Sequence, residues 1–252
     1  VLQPGLSWTP FLEGTHVRWV VAEPVIVGRS LAALDTWGDL HKAGGCEIDT
    51  VCRTDDRTRD GINSVVLLQI PVDQGVGFCS GSLVANARGD GTPYILTAEH
   101  CGIDEQNASG IVIYWRYAVP LCQGSRNREG SSPDPNFSHS GATWLSGLAE
   151  SDYTLILAGT PDSPFIPPAS FRPYYAPIDA KDRSPLYGFS VHHPNGDEKS
   201  ISFFYEPPSL TDERVSGRRT QGWLLRWEEG VTEPGSSGSP LFNENGAVVG
   251  VL

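Results

Sequence analysis

The stretch Thr97-Ala98-Glu99-His100-Cys101 decides how this chain is read. It follows residues 93–96, an apolar run that reads as a short strand, so its histidine stands at a strand end. The neighbouring Cys101 has a counterpart upstream, Cys79, within Phe78-Cys79-Ser80-Gly81-Ser82-Leu83-Val84. A bridge closing that loop would fix the platform under the imidazole and contribute about 3 kcal/mol through loop-closure entropy. A lone histidine is more often structural. One held at a strand end beside a cysteine pair becomes a candidate base once a nucleophile is found.

The nucleophile candidate lies far downstream, in Gly235-Ser236-Ser237-Gly238-Ser239-Pro240. Acyl transfer by serine needs a hydroxyl, an imidazole base, a buried carboxylate that orients the imidazole, and converging backbone N–H groups for the oxyanion. Glycine at 235 lets the backbone adopt a conformation other residues resist, so that successive amides converge. Gly238 leaves room beside the hydroxyl. Taken alone, the hexapeptide also reads as a flexible Gly/Ser loop. The histidine segment tips it toward chemistry.

Outward from these segments the chain is a series of short apolar runs punctuated by Gly, Pro, Asn and Asp. Strands are predicted near 64–70, 76–85, 94–98, 111–118, 153–158, 186–192, 199–205, 222–227 and 246–251. Asn195-Gly196 between two of them marks a tight hairpin. From Gly44 onward the reading is all-β, sandwich or barrel. Residues 1–43 differ. There 17–21 and 25–27 read as strands broken by Pro24, Leu31, Leu34 and Trp37 have helical spacing, and no catalytic constellation appears.

With 252 residues the chain is long enough to bury a sizeable core, and its 19% charged and 10% aromatic residues are those of a globular protein. Its net charge of −12 argues against nucleic acid or an anionic membrane as partner. The longest apolar run, 65–70, is too short to span a bilayer. The chain opens on Val1 with no basic, then apolar, export signal, so such a signal is expected to lie outside it. Its 5 cysteines lack the Cys-x-x-Cys spacing of a zinc site and, with no methionine present, suggest disulfides in an oxidising compartment. The odd count leaves one cysteine without a partner. Adjacent His192 and His193 invite a metal reading, but neighbouring strand residues face opposite ways and do not readily share one ion. A structural or cleft-wall role is expected instead.

Cys-x-Gly-Ser-Leu-Val, then Thr-Ala-x-His-Cys, then Gly-x-Ser-Gly-x-Pro, in that order, resembles the trypsin/chymotrypsin family. Closer still is its bacterial lysyl endopeptidase branch. The marks of that branch are Gly45-Cys46-Glu47-Ile48-Asp49-Thr50-Val51-Cys52, Val112-Ile113-Tyr114-Trp115 and Ser151-Asp152-Tyr153-Thr154-Leu155. Further on come His192-His193-Pro194-Asn195 with Glu198-Lys199, and 230–237, Gly-Val-Thr-Glu-Pro-Gly-Ser-Ser. The resemblance covers 44–252 and implies a chymotrypsin-like double six-stranded β-barrel with the active site in the cleft between the barrels.

By that resemblance the base falls on His100 and the nucleophile on Ser237, with Ser236 and Ser239 as neighbours that do not attack. The orienting acid lies between them in this family's chain order. Asp104, Asp134 and Asp162 sit in polar or proline-rich loops, whereas Asp152 heads the apolar run of residues 153–157 and is preferred. The oxyanion donors implied are the N–H groups of Gly235 and Ser237. The implied disulfides are Cys79–Cys101 and Cys52–Cys122, with Cys46 left over because its partner lies beyond Leu252. No metal or cofactor is required.

Two departures matter. Pancreatic-type members carry an Asp before the nucleophile that pairs with the freed N-terminal amine, and here that position is Ser236. Lysyl endopeptidases place their lysine-selecting acid well downstream of the nucleophile, past Leu252, so the second barrel is expected to be incomplete and the strand near 246–251 to present an open edge. Residues 1–43 are expected to be the tail of a pro-region, the alternative being an N-terminal extension kept in the mature protein. The activity implied is a secreted, zymogen-derived, monomeric serine endopeptidase that acts on polypeptides, with lysine preference. The alternatives are a related peptidase of other specificity and a non-catalytic β-barrel binding protein on the same fold.

Overall fold

The computed structural model describes residues 18–23, 43–72, 75–122, 132–181, 183–215 and 218–252. Strands make up most of the ordered structure. β1 (Arg18–Glu23) is followed by a short helix, α1 (Arg59–Ser64), and then by β2 (Val65–Val72), β3 (Gly75–Val84), β4 (Tyr94–Thr97) and β5 (Val112–Tyr114). Next come β6 (Ser138–Ser140), β7 (Ala142–Leu148), β8 (Tyr153–Thr160) and β9 (Ser163–Pro164). The last part holds β10 (Gly188–His192), β11 (Ser200–Phe204), β12 (Ser209–Val215), β13 (Arg218–Arg226), β14 (Pro240–Asn243) and β15 (Val248–Val251).

The first sheet runs β6-β5-β2-β3-β4-β8-β7, with β9 beside β8. β6 and β7 are two halves of one strand bent at Gly141, whose φ of 96° suits glycine. Its N–H donates to the Ile111 carbonyl (2.8 Å) and its carbonyl accepts from Gly159 N–H (3.0 Å). One half therefore pairs with β5 and the other with β8, and the sheet closes into a barrel. Val65, Val66 and Leu68 of β2, Ile95 of β4 and Leu155 and Ile156 of β8 belong to one buried core inside and around it. Burying each such side chain stabilises the fold by about 1.5–3 kcal/mol.

The second sheet runs β11-β10-β14-β15-β1-β13-β12. Its β11 edge is joined to the segment after β13 through backbone bonds between Phe203 and the Glu228–Glu229 pair, of 2.8 and 2.9 Å. Phe189, Val191, Ile201, Phe242, Val248 and Val251 join the core of the first barrel, so the two units pack as one body. Phe204, Trp223, Leu225, Leu241 and Val249 form a second buried group.

Several expectations need correction. The strand near 246–251 has no open edge, because β15 lies between β14 and β1, and β1 runs parallel to both β15 and β13. Asn195-Gly196 is not a two-residue hairpin. Both residues have positive φ (51° and 69°), as such a turn requires, but His192 pairs with Ser200 and the connection spans 193–199. The 111–118 strand is confined to Val112–Tyr114. The strands at 138–148, 209–215 and 240–243 and helix α1 were not legible locally. The 25–27 strand and the 31–37 helical spacing lie outside the described residues.

Candidate active site

β4 ends at Thr97, and the chain turns through Ala98 into one 3-10 turn, Glu99–Cys101, that carries His100. The Cys79–Cys101 disulfide ties this turn to β3, and Thr97 Oγ1 donates to the Ser80 carbonyl at 2.8 Å. Asp152 stands at the tip between β7 and β8 with a φ of 45°, which short polar side chains tolerate better than most. Its carboxylate is almost fully buried at 2% exposure. Oδ1 accepts the His100 backbone N–H (2.9 Å) and Oδ2 lies 2.7 Å from His100 Nδ1. The other ring nitrogen, Nε2, is 2.8 Å from Ser237 Oγ. With Nδ1–H donated to the carboxylate, the Nε2 lone pair faces the serine hydroxyl. The structure thus brings His100, Asp152 and Ser237 into one chain of hydrogen bonds.

Ser237 sits in a loop that Ser80 of β3 holds from the first barrel. The Ser80 N–H donates to the Ser237 carbonyl (2.7 Å) and the Ser80 hydroxyl to the Gly235 carbonyl (3.0 Å). Both carbonyls are thereby held against β3. Ser236 N–H is used by Glu233 (2.9 Å) and Gly238 N–H by Leu252 (2.6 Å). Among the described residues, the N–H groups of Gly235 and Ser237 donate to no protein acceptor. They are two donors beside the hydroxyl, the arrangement an oxyanion needs. Gly235 has φ 89°, and a Cβ there would lie 2.8 Å from the His193 carbonyl. Gly238 has φ 82°, and a Cβ there would overlap the Ser80 carbonyl oxygen.

His192 and His193 are both fully buried behind this loop rather than in the cleft wall. His192 Nδ1 is 2.9 Å from Ser236 Oγ. His193 Nδ1 is 2.7 Å from the Asp197 carbonyl, and its ring stacks on Tyr117 with centroids 5.8 Å apart. Burial, reinforced by the Lys199 charge, holds the His193 imidazole well below the usual histidine range. Burial likewise pushes the Lys199 ammonium down to about 7, with Arg116 adding to the effect, and its Nζ donates to the Ile62 carbonyl at 2.8 Å. The second disulfide joins Cys52 to Cys122, and Cys46 is free and exposed. Sequence reasoning missed the roles of Ser80 and of His192 toward Ser236. Both lie in quoted motifs, but their partners are more than a hundred and about forty residues away respectively.

Two β-barrel units with this constellation between them define the chymotrypsin-like serine proteases. Within that class the chain belongs to the family described as "Lysyl endopeptidase, C-terminal domain", whose model matches residues 40–252. A curated relative, the lysyl endopeptidase of Pseudomonas aeruginosa, is 28% identical over 260 residues that cover 95% of this chain and 54% of the relative. The chain therefore spans about half the length of that relative. Among solved structures, a thermostable serine protease, AL20, from an extremophilic microorganism superposes with a TM-score of 0.50 at 19% identity, covering 76% of this chain and 83% of its own. The active form of the Rv3671c protease from M. tuberculosis gives 0.50 at 17% identity over 92% of this chain and 82% of its own. These two establish likeness of fold.

Proposed function

We propose that this chain is a secreted serine endopeptidase that cleaves polypeptides on the carboxyl side of lysine through an acyl-enzyme. The observation that carries the reading is the Asp152–His100–Ser237 chain, with contacts of 2.7 and 2.8 Å, beside the unengaged N–H groups of Gly235 and Ser237. In the first step Ser237 Oγ bonds to the substrate carbonyl carbon while His100 Nε2 takes the hydroxyl proton. The carbonyl oxygen, now negative, accepts from the two N–H groups. The C–N bond then breaks as His100 gives that proton to the leaving amine. Water, activated by the same nitrogen, adds to the acyl carbon and releases the acid and Ser237. Asp152 accepts from Nδ1–H throughout, which holds the tautomer and stabilises the imidazolium.

Lysine preference is supported by membership of the lysyl endopeptidase family and by the relative of that name. Secretion is supported by the two disulfides. Among the described residues no helix is long and apolar enough to cross a membrane. In this reading the protein acts as a monomer, residues 44–252 are the protease domain, and 1–43 are the tail of a pro-region that lays β1 into the second sheet. The test is covalent labelling of the full-length protein with a serine-directed phosphonylating reagent, followed by cleavage of peptides that differ only in the residue before the scissile bond. Label on Ser237 with cleavage after lysine is the expected result. Absence of label and of cleavage would favour the binding-protein reading.

A further inference from the structure

The position before the nucleophile is Ser236, and its hydroxyl is fully buried on the side of the loop away from the cleft. Its oxygen accepts Glu233 N–H (3.1 Å) and lies 2.9 Å from His192 Nδ1. The opposite nitrogen, Nε2, is 3.1 Å from Ser202 Oγ, with the Glu47 carboxylate 3.7 Å away. The Ser202 hydroxyl is 2.7 Å from the Val231 carbonyl, which can only accept. The single Ser202 proton is therefore spent on Val231, and Ser202 accepts from His192 Nε2–H. In the neutral ring Nδ1 is then an acceptor and takes the Ser236 proton. The directed chain is Glu233 N–H to Ser236 O–H to His192, and His192 Nε2–H to Ser202 O–H to the Val231 carbonyl.

Every proton in this chain has an acceptor, and both of its ends lie in the segment that delivers the nucleophile. Gly230, with φ 77°, makes the approach possible, because a Cβ there would lie 2.6 Å from Ser202 Oγ. His192 closes β10, which lies between β11 and β14, so the loop is tied to a strand inside a sheet and not to another loop. We propose that His192 is a positioning residue for the oxyanion site. By holding the Ser236 side chain it sets the rotation of the peptide plane that joins Ser236 to Ser237, and so the aim of the Ser237 N–H group. This inference rests on the acyl-transfer reading above.

The test uses the full-length protein and four variants: Ser236→Ala, His192→Phe, the pair combined, and His192→Asn, whose amide oxygen can replace the Nδ1 acceptor. Active-site concentrations are normalised by phosphonyl titration. Loss of a well-aimed oxyanion donor costs about 10²–10³ in kcat, and mis-aiming one is expected to cost about 10- to 100-fold. Ser236→Ala and His192→Phe are expected to lower kcat on a lysyl ester by that factor with KM within about twofold. Affinity for a peptide aldehyde, which binds as a tetrahedral adduct, should fall by the same factor. The combined variant should be no worse than the worse single one, and His192→Asn should recover most of the loss. A Ser236→Ala protein with unchanged kcat and aldehyde affinity overturns the inference even if His192→Phe fails to fold. Additive losses, or losses shared by KM and matched by lowered Tm, overturn it too. Wild-type protein that neither cleaves nor takes the label overturns this inference together with the functional reading, whereas active wild type with unaffected variants overturns this inference alone.

Discussion

Gly238→Ala is the substitution whose cost can be worked most directly from the structure. The backbone at 238 has φ 82°, where a Cβ strains the chain by about 1–2 kcal/mol. The added carbon would also overlap the Ser80 carbonyl oxygen and Thr97 Oγ1, and lie 3.1 Å from Ala98 N. Thr97 can rotate only by giving up its bond to Ser80, and the Ser80 carbonyl is main chain in β3, so the loop must retreat. Reaching ordinary contact distance needs about 1 Å of movement. That displacement lengthens the 2.8 Å contact between Ser237 Oγ and His100 Nε2 beyond a good hydrogen bond. Misplacement on this scale costs about 10²-fold in rate, and overpacking adds about 1–3 kcal/mol of destabilisation.

The assay is kcat/KM on a lysyl ester with Tm measured alongside. Gly246→Ala serves as the comparison: it has φ 73° but nothing within 4 Å of its added Cβ, so it carries the backbone strain without the overlap. Gly246→Ala should lower stability by about 1–2 kcal/mol and leave activity intact. Gly238→Ala should lose about 10²-fold in activity and more stability. A Gly238→Ala protein within threefold of wild-type activity, or a Gly246→Ala protein equally impaired, would refute the steric argument.

Asp152→Asn is expected to preserve the fold while lowering kcat by about 10⁴, because an amide nitrogen facing Nδ1 favours the wrong tautomer; pre-steady-state ester kinetics would measure it. Replacing Cys79 and Cys101 together with serine should cost about 3 kcal/mol, read as a lowered urea midpoint at unchanged m-value. His193 predicts an acid-side loss of stability: its folded pKa is depressed, so the unfolded chain binds the proton first. The contribution is whole above about 6.5 and falls by about 1.4 kcal/mol per pH unit below it. Urea unfolding of wild type and His193→Phe at pH 7.5 and 5.5 should show the steeper loss in wild type, and equal slopes would refute it.

The catalytic candidates were legible because each carries its own local signature. His100 has a strand before it and a cysteine after it, Asp152 heads the buried run of β8, and Gly235 and Gly238 bracket Ser237. What could not be read depends on distant register. β12 is built on Thr-Asp-Glu-Arg, β14 opens on proline, and β6–β7 is broken by glycine, so neither alternation nor propensity marks them. They are strands because neighbouring strands supply hydrogen-bond partners, a tertiary override of local preference. The course of β1 between β13 and β15 was illegible for the same reason. The connection at 195–196 is legible in part: positive φ at both residues follows from Asn-Gly, but its length follows from where the Asn195 N–H finds the Pro234 carbonyl (2.6 Å).

The arrangement of supports explains why a serine suffices before Ser237. An oxyanion loop needs its carbonyls held back and its side chains fixed, and a buried ion pair is one way to do both. Here the work is divided. Ser80 takes the Gly235 and Ser237 carbonyls from the first barrel, and His192 takes the Ser236 hydroxyl from the second. Both anchors lie on strands within sheets, and the side chains of Ser80, His192 and Ser236 that make these bonds are buried. Glu233 adds a third support, accepting Gly44 N–H at 2.9 Å and the Asn195 amide at 2.6 Å. The loop is thus tied to the segment that opens the family-matched region, to the connection after β10 and to β3. Because these ties converge from both barrels, a shift of either barrel moves the N–H groups of Gly235 and Ser237 relative to His100. Catalytic geometry and packing between the barrels are therefore one property, and substitutions in the shared core, such as Phe189 or Phe242, are expected to lower kcat before they unfold the protein.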